Sequence, residues 1–345
     1  MTATDVAAQA PAGRHQQPGL APGLLVAAAG LGGALLGHRI VPQIGVLTWA
    51  VALGVAAANL NLLPRRGRAV LGRLTKRLLR VGVTLLGFSV SIDAITALGA
   101  PVIAAVAGTL LATLVGTTWL GSRMRLGGPR SLLIGTGVAI CGAAAIAAME
   151  DAAEADEEDV TTAIAMITLF GTIALTVFPL LRSPLGLDDV QYGVWTGAAV
   201  HEVGQVVAAA SPAGAAVVTV AVVVKLTRVL LLAPVVAGVS ALRRIRSPRT
   251  GGETARPPLI PLFVLGFLAC AGLRSAGVVP QPALGWIGTL QTISLGVALF
   301  GMGASVHLAS LVRRSKAAVL LTAAATLFIT AGALGATLLV VHGRL

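Results

Sequence analysis

Charged and aromatic side chains are what this sequence has least of. Asp, Glu, Lys and Arg supply 11% of its 345 residues and aromatics 3%, against 56% apolar residues. A soluble domain of this length needs far more polar surface to stay in water, so that class is excluded. Without aromatics there is no base-stacking platform, and the net charge of +12 does not read as a nucleic-acid interface. Only Cys141 and Cys270 are present, both inside apolar runs, which excludes a disulfide framework. Ten-residue stretches of alternating polarity are missing, which argues against an outer-membrane barrel.

Catalytic motifs are missing as well. There is no Gly-x-Ser-x-Gly elbow, phosphate loop or His-Glu-x-x-His, so neither an enzyme nor a cofactor is expected. His201-Glu202 is followed by Val203-Gly204-Gln205, which lacks a second zinc ligand. The carboxylates between Glu150 and Asp159 lack the loop glycine and alternating spacing of a calcium site, and read as a solvated loop.

What is present is one long apolar run after another, each near the ~20 residues that cross a ~30 Å hydrocarbon core. The fold expected is an all-α polytopic transmembrane bundle of about eleven spans. They cover roughly 22–38, 44–62, 78–98, 101–121, 131–149, 160–181, 191–210, 214–241, 259–275, 284–306 and 317–341. Residues 1–20 read as a disordered cytoplasmic tail, and 21–345 as one transporter-like domain in a lipid bilayer. With the N-terminus cytoplasmic, the inner segments hold 19 basic residues and the outer loops three: Arg39, Arg274 and Arg344. This asymmetry follows the positive-inside rule and puts residues 150–159 outside and Arg182 inside.

An inverted repeat is expected between spans three and ten. Gly82, Val83, Leu85, Gly87 and Ser91 recur as Gly296, Val297, Leu299, Gly301 and Ser305. The two spans are an odd number of crossings apart, as in transporter repeats. Five matches among small and apolar residues also arise by chance. Asp93 and His307 follow the two copies at equivalent places and read as solvated end groups.

The chemistry concentrates in spans seven and eight, joined by Ser211-Pro212-Ala213-Gly214. Helix rise puts Glu202 about 12 Å, Lys225 about 16 Å and Arg228 about 20 Å from that turn. His201 and Gln205 flank Glu202. A charge at the bilayer centre costs roughly 2.5–3.5 kcal/mol, so the three require pairing or water. The simplest arrangement pairs Glu202 with one cation and leaves one positive charge for an anionic solute. The alternative is a structural ion pair that ties two helices together. In span five, Gly135, Gly137 and Gly142 weaken the helix by ~1 kcal/mol each relative to Ala. Such a stretch unwinds to show its backbone to a substrate, or packs closely against a neighbour. Candidate binding residues are therefore Lys225, Arg228, Glu202, His201, Gln205, Gly137, Cys141 and Gly142.

Several motifs together resemble the YeiH family, also called sulfate exporters. They are Ile140-Cys141-Gly142-x-x-Ala145-Ile146-Ala147-Ala148, Leu169-Phe170-Gly171-Thr172, Tyr192-Gly193-x-Trp195-x-Gly197, His201-Glu202-Val203-x-Gln205-Val206-Val207-Ala208-Ala209 and Lys225-Leu226-Thr227-Arg228-Val229. They occur in order, and the likeness runs from about residue 22 to 340. It implies a multi-pass plasma-membrane protein with inverted repeats, distantly related to cation:proton antiporters and bile-acid symporters. It also implies a secondary transporter that exports a small anion, sulfate or an organosulfur acid, on an ion gradient. The chain departs from the family pattern at Ala139 and Ala144, where hydroxyls are usual, at Gly204, and at Gly128-Pro129. A cation:proton antiporter and a non-transporting membrane protein are the competing readings, and a homo-oligomer is left open.

Overall fold

The computed structural model describes residues 20–42, 45–63, 65–246, 261–305 and 316–341. The expected N-terminal tail up to residue 19 and His307 lie outside the described residues. Every regular element among them is helical. In chain order they are α1 (Leu20–Ile40), α2 (Val46–Asn59), α3 (Arg65–Leu86), α4 (Ile92–Ala97), α5 (Ala100–Arg123), α6 (Gly128–Ala139), α7 (Ala143–Ala153) and α8 (Glu157–Arg182). Then follow α9 (Asp189–Ala199), α10 (Val203–Ala210), α11 (Ala215–Leu230), α12 (Leu232–Arg246), α13 (Leu262–Ser275), α14 (Gln281–Gly303) and α15 (Lys316–Val341). Apolar composition makes these segments helical, since in lipid only a helix satisfies its own backbone. Local signals set their ends: Asp156 caps α8 by accepting from the Asp159 N–H, and Asp188 and Gln191 close a capping box on α9.

Among the described residues, six stretches can cross a bilayer by length and composition: 23–40, 100–123, 157–182, 215–245, 281–303 and 316–341. The expected count of about eleven crossings is not confirmed. Arg130, in the first turn of α6, bonds Asp159 at 2.6 Å and Glu158 at 3.3 Å, in the first turn of α8. The α6–α7 segment between them therefore enters and leaves by one face. It is a re-entrant hairpin with its tip at Ile140–Gly142. In the same way, the Tyr192 hydroxyl near the start of α9 donates to the Ala209 carbonyl at the end of α10, 2.7 Å away. So α9–α10 is a second hairpin, with its tip at Val200–Glu202. The expected spans 131–149 and 191–210 are thus hairpins, because each breaks halfway through the hydrocarbon.

This path corrects the placement of two loops. Glu150 pairs with Lys76 at 2.9 Å and Glu154 with Arg243 at 3.1 Å, so the acidic segment lies on the face rich in arginine and lysine. Arg182 pairs with Asp189 at the mouth of the second hairpin, on the opposite face. The basic face attracts the carboxylates, whose charges neutralise neighbouring cations across short gaps. The hairpins consequently enter from opposite faces.

The helices pack as two groups. α1, α2, α3, α13 and α14 lie against one another, and α5 through α12 pack with α15. The seam between them is narrow: α2 touches α10, α3 touches α7, α14 touches α8, and α4 lies between α11 and α13. Within the first group α3 and α14 run antiparallel, Gly82 facing Leu295 and Gly301 facing Thr75. Adding the 214-residue offset of the sequence repeat carries α2, α3 and α5 onto α13, α14 and α15 to within a few residues. Each hairpin is followed by a full-length rod, α8 in one case and α11–α12 in the other.

The hairpin path has a direct test. In a background without Cys141 and Cys270, a membrane-impermeant maleimide should label Glu157→Cys and Arg123→Cys from one side and Ser183→Cys from the other. Labelling of positions 157 and 123 from different sides would mean that α6–α7 crosses the membrane.

Candidate functional site

A helix that stops in hydrocarbon leaves its last four carbonyls and first four N–H groups without partners. Both hairpin tips create that problem at the same depth. α9 has 11 residues and so reaches about 16 Å into the ~30 Å core. The tips meet there, against the middle of α11.

Arg228 and Lys225 on α11 serve the carbonyl ends. Arg228 Nη2 donates to Val138 O at 2.6 Å and Nε to Ala139 O at 2.7 Å, both at the end of α6. Its Nη1 donates to Ala198 O at the end of α9, 2.6 Å away. Lys225 Nζ donates to Val200 O at 2.6 Å. For α6 the account closes, because the Ile140 and Gly142 N–H groups take the Thr136 and Gly137 carbonyls at 3.0 Å. A planar guanidinium suits this place, since it presents several N–H groups in fixed directions to carbonyls from two helices. Both cations also sit at the negative ends of the half-helix dipoles. Lys225 is 0% and Arg228 1% exposed.

Glu202 serves the other two ends. It opens α10, where it forms a capping box with Gln205, and its own N–H donates to Gln205 Oε1 at 3.1 Å. Its carboxyl also faces the Ala143 N–H, the first of α7. The approach depends on Gly142, whose φ is +77° and where a Cβ would lie 2.5 Å from Glu202 Cγ. Either feature alone disfavours a side chain at residue 142. Glu202 is 8% exposed, the most open member of the charged cluster. His201, in the second tip, is buried, its Nε2 3.2 Å from Thr326 Oγ1 on α15 and its Nδ1 without a partner. Cys141 is a buried free thiol at the first tip. Gln205 packs against Gly171 of α8.

The candidate residues therefore converge, with one exception. A Cβ on Gly137 would meet Ile167 and Ile146, so that glycine serves packing one turn before the tip. The expected ion pair is not formed: among the described residues the ion pairs lie at the two faces, and none joins Glu202 to Lys225 or Arg228. Helix ends provide each charge with its partner. The sequence reading missed the second break, the carbonyls of Val138, Ala139, Ala198 and Val200, and Thr326. Only the break had a signal, since Glu202 and Gln205 stand at capping-box spacing.

A family model described as "Conserved hypothetical protein 698" matches residues 18–323. The chain belongs to the YeiH/UPF0324 membrane-protein family. A UPF0324 membrane protein of Corynebacterium glutamicum is 37% identical over 318 residues, 92% of each chain. One of Agrobacterium fabrum is 34% identical over 298 residues, 85% of each chain. The UPF0324 membrane protein TauZ of Paracoccus pantotrophus is 35% identical over 322 residues, covering 90% of this chain and 92% of that one. This UPF0324 chain is a multi-pass membrane protein, as the helical architecture and these relatives together require.

Two substitutions test the capping role in this UPF0324 site. Arg228→Met strands three mid-membrane carbonyls at ~1–3 kcal/mol each. It should lower the melting midpoint in detergent by roughly 5 °C or more, and Arg228→Lys should recover only part of that. Gly142→Ala should be destabilising as well, and replacing Glu202 by the shorter Asp should relieve only the steric part, leaving the cost of the positive φ. A melting curve unchanged in Arg228→Met would remove the capping account.

Proposed function

We propose that this chain is a secondary transporter that exports a small anion, such as sulfate or an organosulfur acid, across the cell membrane. Its basic face and N-terminus would lie on the cytoplasmic side, as expected where Lys and Arg collect. One observation carries the reading. Two half-helix pairs entering from opposite faces meet at Lys225, Arg228 and Glu202, a buried cluster with one more cation than anion. Broken helices around a mid-membrane charge are how carriers expose backbone groups to a solute. Lys225 and Arg228 offset the charge of the anion, Glu202 couples it to a proton, and His201 and Gln205 complete the polar surroundings. The driving force is an ion or solute gradient.

A second reading, a cation:proton carrier, draws on one specific feature. Both cations already donate to backbone carbonyls, which leaves the Glu202 carboxylate as the most accessible charge. Flux decides between the two. In proteoliposomes, uptake of sulfate and simple sulfonates should depend on the anion and be indifferent to exchange of sodium for potassium. Lys225→Met should cut that flux about tenfold or more, the equivalent of ~1.4 kcal/mol. Flux that follows the cation, with no dependence on the anion, overturns the proposal.

A further inference from the structure

The proposed function leaves open where the anion would bind, and the tip geometry offers a specific answer. Helix N-termini are the natural anion seats in a protein, because their N–H groups point outward and their dipole end is positive. Here two such ends, those of α7 and α10, point at one place in the middle of the membrane. That place is taken by a carboxylate of the protein itself. Glu202 caps α10, faces the Ala143 N–H of α7, and lies so close to Gly142 that a side chain there would strike it.

Two further observations show that the surroundings hold more hydrogen-bonding capacity than Glu202 uses. Lys225 is fully buried and has three N–H donors, yet it makes one hydrogen bond, to Val200 O. His201, also fully buried, keeps Nδ1 without a partner. Buried polar groups left over in this way are costly, at ~1–3 kcal/mol each, and the two spare Lys225 N–H groups suit a ligand that brings several acceptor atoms. A compact oxyanion brings them.

We infer that the Glu202 carboxylate is a tethered stand-in for the transported anion, and that a small oxyanion takes its place when Glu202 is protonated. The inference rests on the anion-carrier reading and deepens it. Two negative charges about 4 Å apart would repel by roughly 4 kcal/mol at an effective dielectric of 20, so the anion and an ionised Glu202 exclude each other. Protonation removes one negative charge from the cluster; entry of a sulfonate monoanion restores it, and sulfate, a dianion, adds one more that the excess cation offsets. The proton comes from water on the side to which the site opens, stays on the Glu202 carboxyl while the anion is bound, and is released when the carboxylate returns. One proton thus travels with each anion in the same direction, so export by this cycle runs down the anion's own outward gradient and not on proton entry. The groups around Glu202 are consistent with this exchange. Lys225 faces it from α11 and Cys141 from the first tip, while Arg228, one turn further along α11, is turned to the carbonyls of Val138, Ala139 and Ala198. His201 precedes it, and the neighbouring α2 contributes Leu47 and Thr48, which carry no charge.

The test is anion binding to the purified full-length protein by calorimetry, with sulfate and methanesulfonate as probes, at acid and alkaline pH. Wild type should bind more weakly as pH rises. Glu202→Gln, which keeps the shape and can still accept from Ala143, should bind about equally at both pH values and at least as tightly as wild type in acid. Glu202→Asp should keep the pH dependence, and melting curves of both variants establish that they are folded. A folded Glu202→Gln protein that loses binding, or that retains the wild-type pH dependence, overturns the stand-in role while leaving anion transport intact. Wild type that binds neither probe at either pH, and moves none in proteoliposomes, overturns the anion reading and this inference with it.

Discussion

Arg228 bonds to both hairpins at once, and the centre of the molecule is arranged around that side chain. Its guanidinium reaches Val138 and Ala139 at the end of one half-helix and Ala198 at the end of the other. The constraint behind this is general. Hydrocarbon offers no hydrogen bonds, so a helix that stops inside it must find partners within the protein. Two helices that stop at one depth can share a donor, provided the donor is multivalent and rigid. That requirement explains an arginine fully buried in the membrane, which would otherwise be one of the least favourable residues to place there.

The same constraint accounts for the rest of the cluster. Lys225 takes the Val200 carbonyl, and Glu202 takes up the positive ends of α7 and α10. Each charge is neutralised by helix ends more than by another side chain. An ion pair would satisfy the charges but leave the backbone groups at the tips without partners. Because the charges and helix ends are solved together, the cluster is both a structural keystone and a concentration of polar groups at the membrane centre. Polar groups at that depth are what a carrier for a hydrophilic solute needs, and the proposed function grows from this coincidence.

The surrounding architecture keeps the two hairpins in register. α11 supplies both cations from one turn, so their spacing is fixed by the helix itself. Close approach of α9 to α11 at Gly197 brings the tip within reach of those side chains. Trp195 stacks on Phe178 at 4.2 Å and donates to Thr330 O at 2.9 Å, which anchors α9 to α8 and α15. The second group of helices meets this assembly along a narrow seam, with the Lys76–Glu150 ion pair at its basic end.

By itself the sequence determined the class of the protein and the identity of its central charges. Composition and run length specify a helical membrane bundle, because apolar surface of that extent has no other solvent. Glu202, Lys225 and Arg228 stood out because isolated charges within apolar runs are costly wherever they occur. The glycines around Cys141 marked a weak stretch of helix but left open whether it unwinds or packs closely, and the structure shows a break there. Whether an apolar run crosses the membrane or turns back in it was decided only by tertiary structure. A span and a re-entrant hairpin have nearly the same composition and length, and they differ in contacts such as Arg130 to Asp159 and Tyr192 to Ala209. The partners of the central charges were hidden for a related reason. They are backbone carbonyls and amides, which every residue carries, so no residue letter marks the ones that α11 and Glu202 would reach.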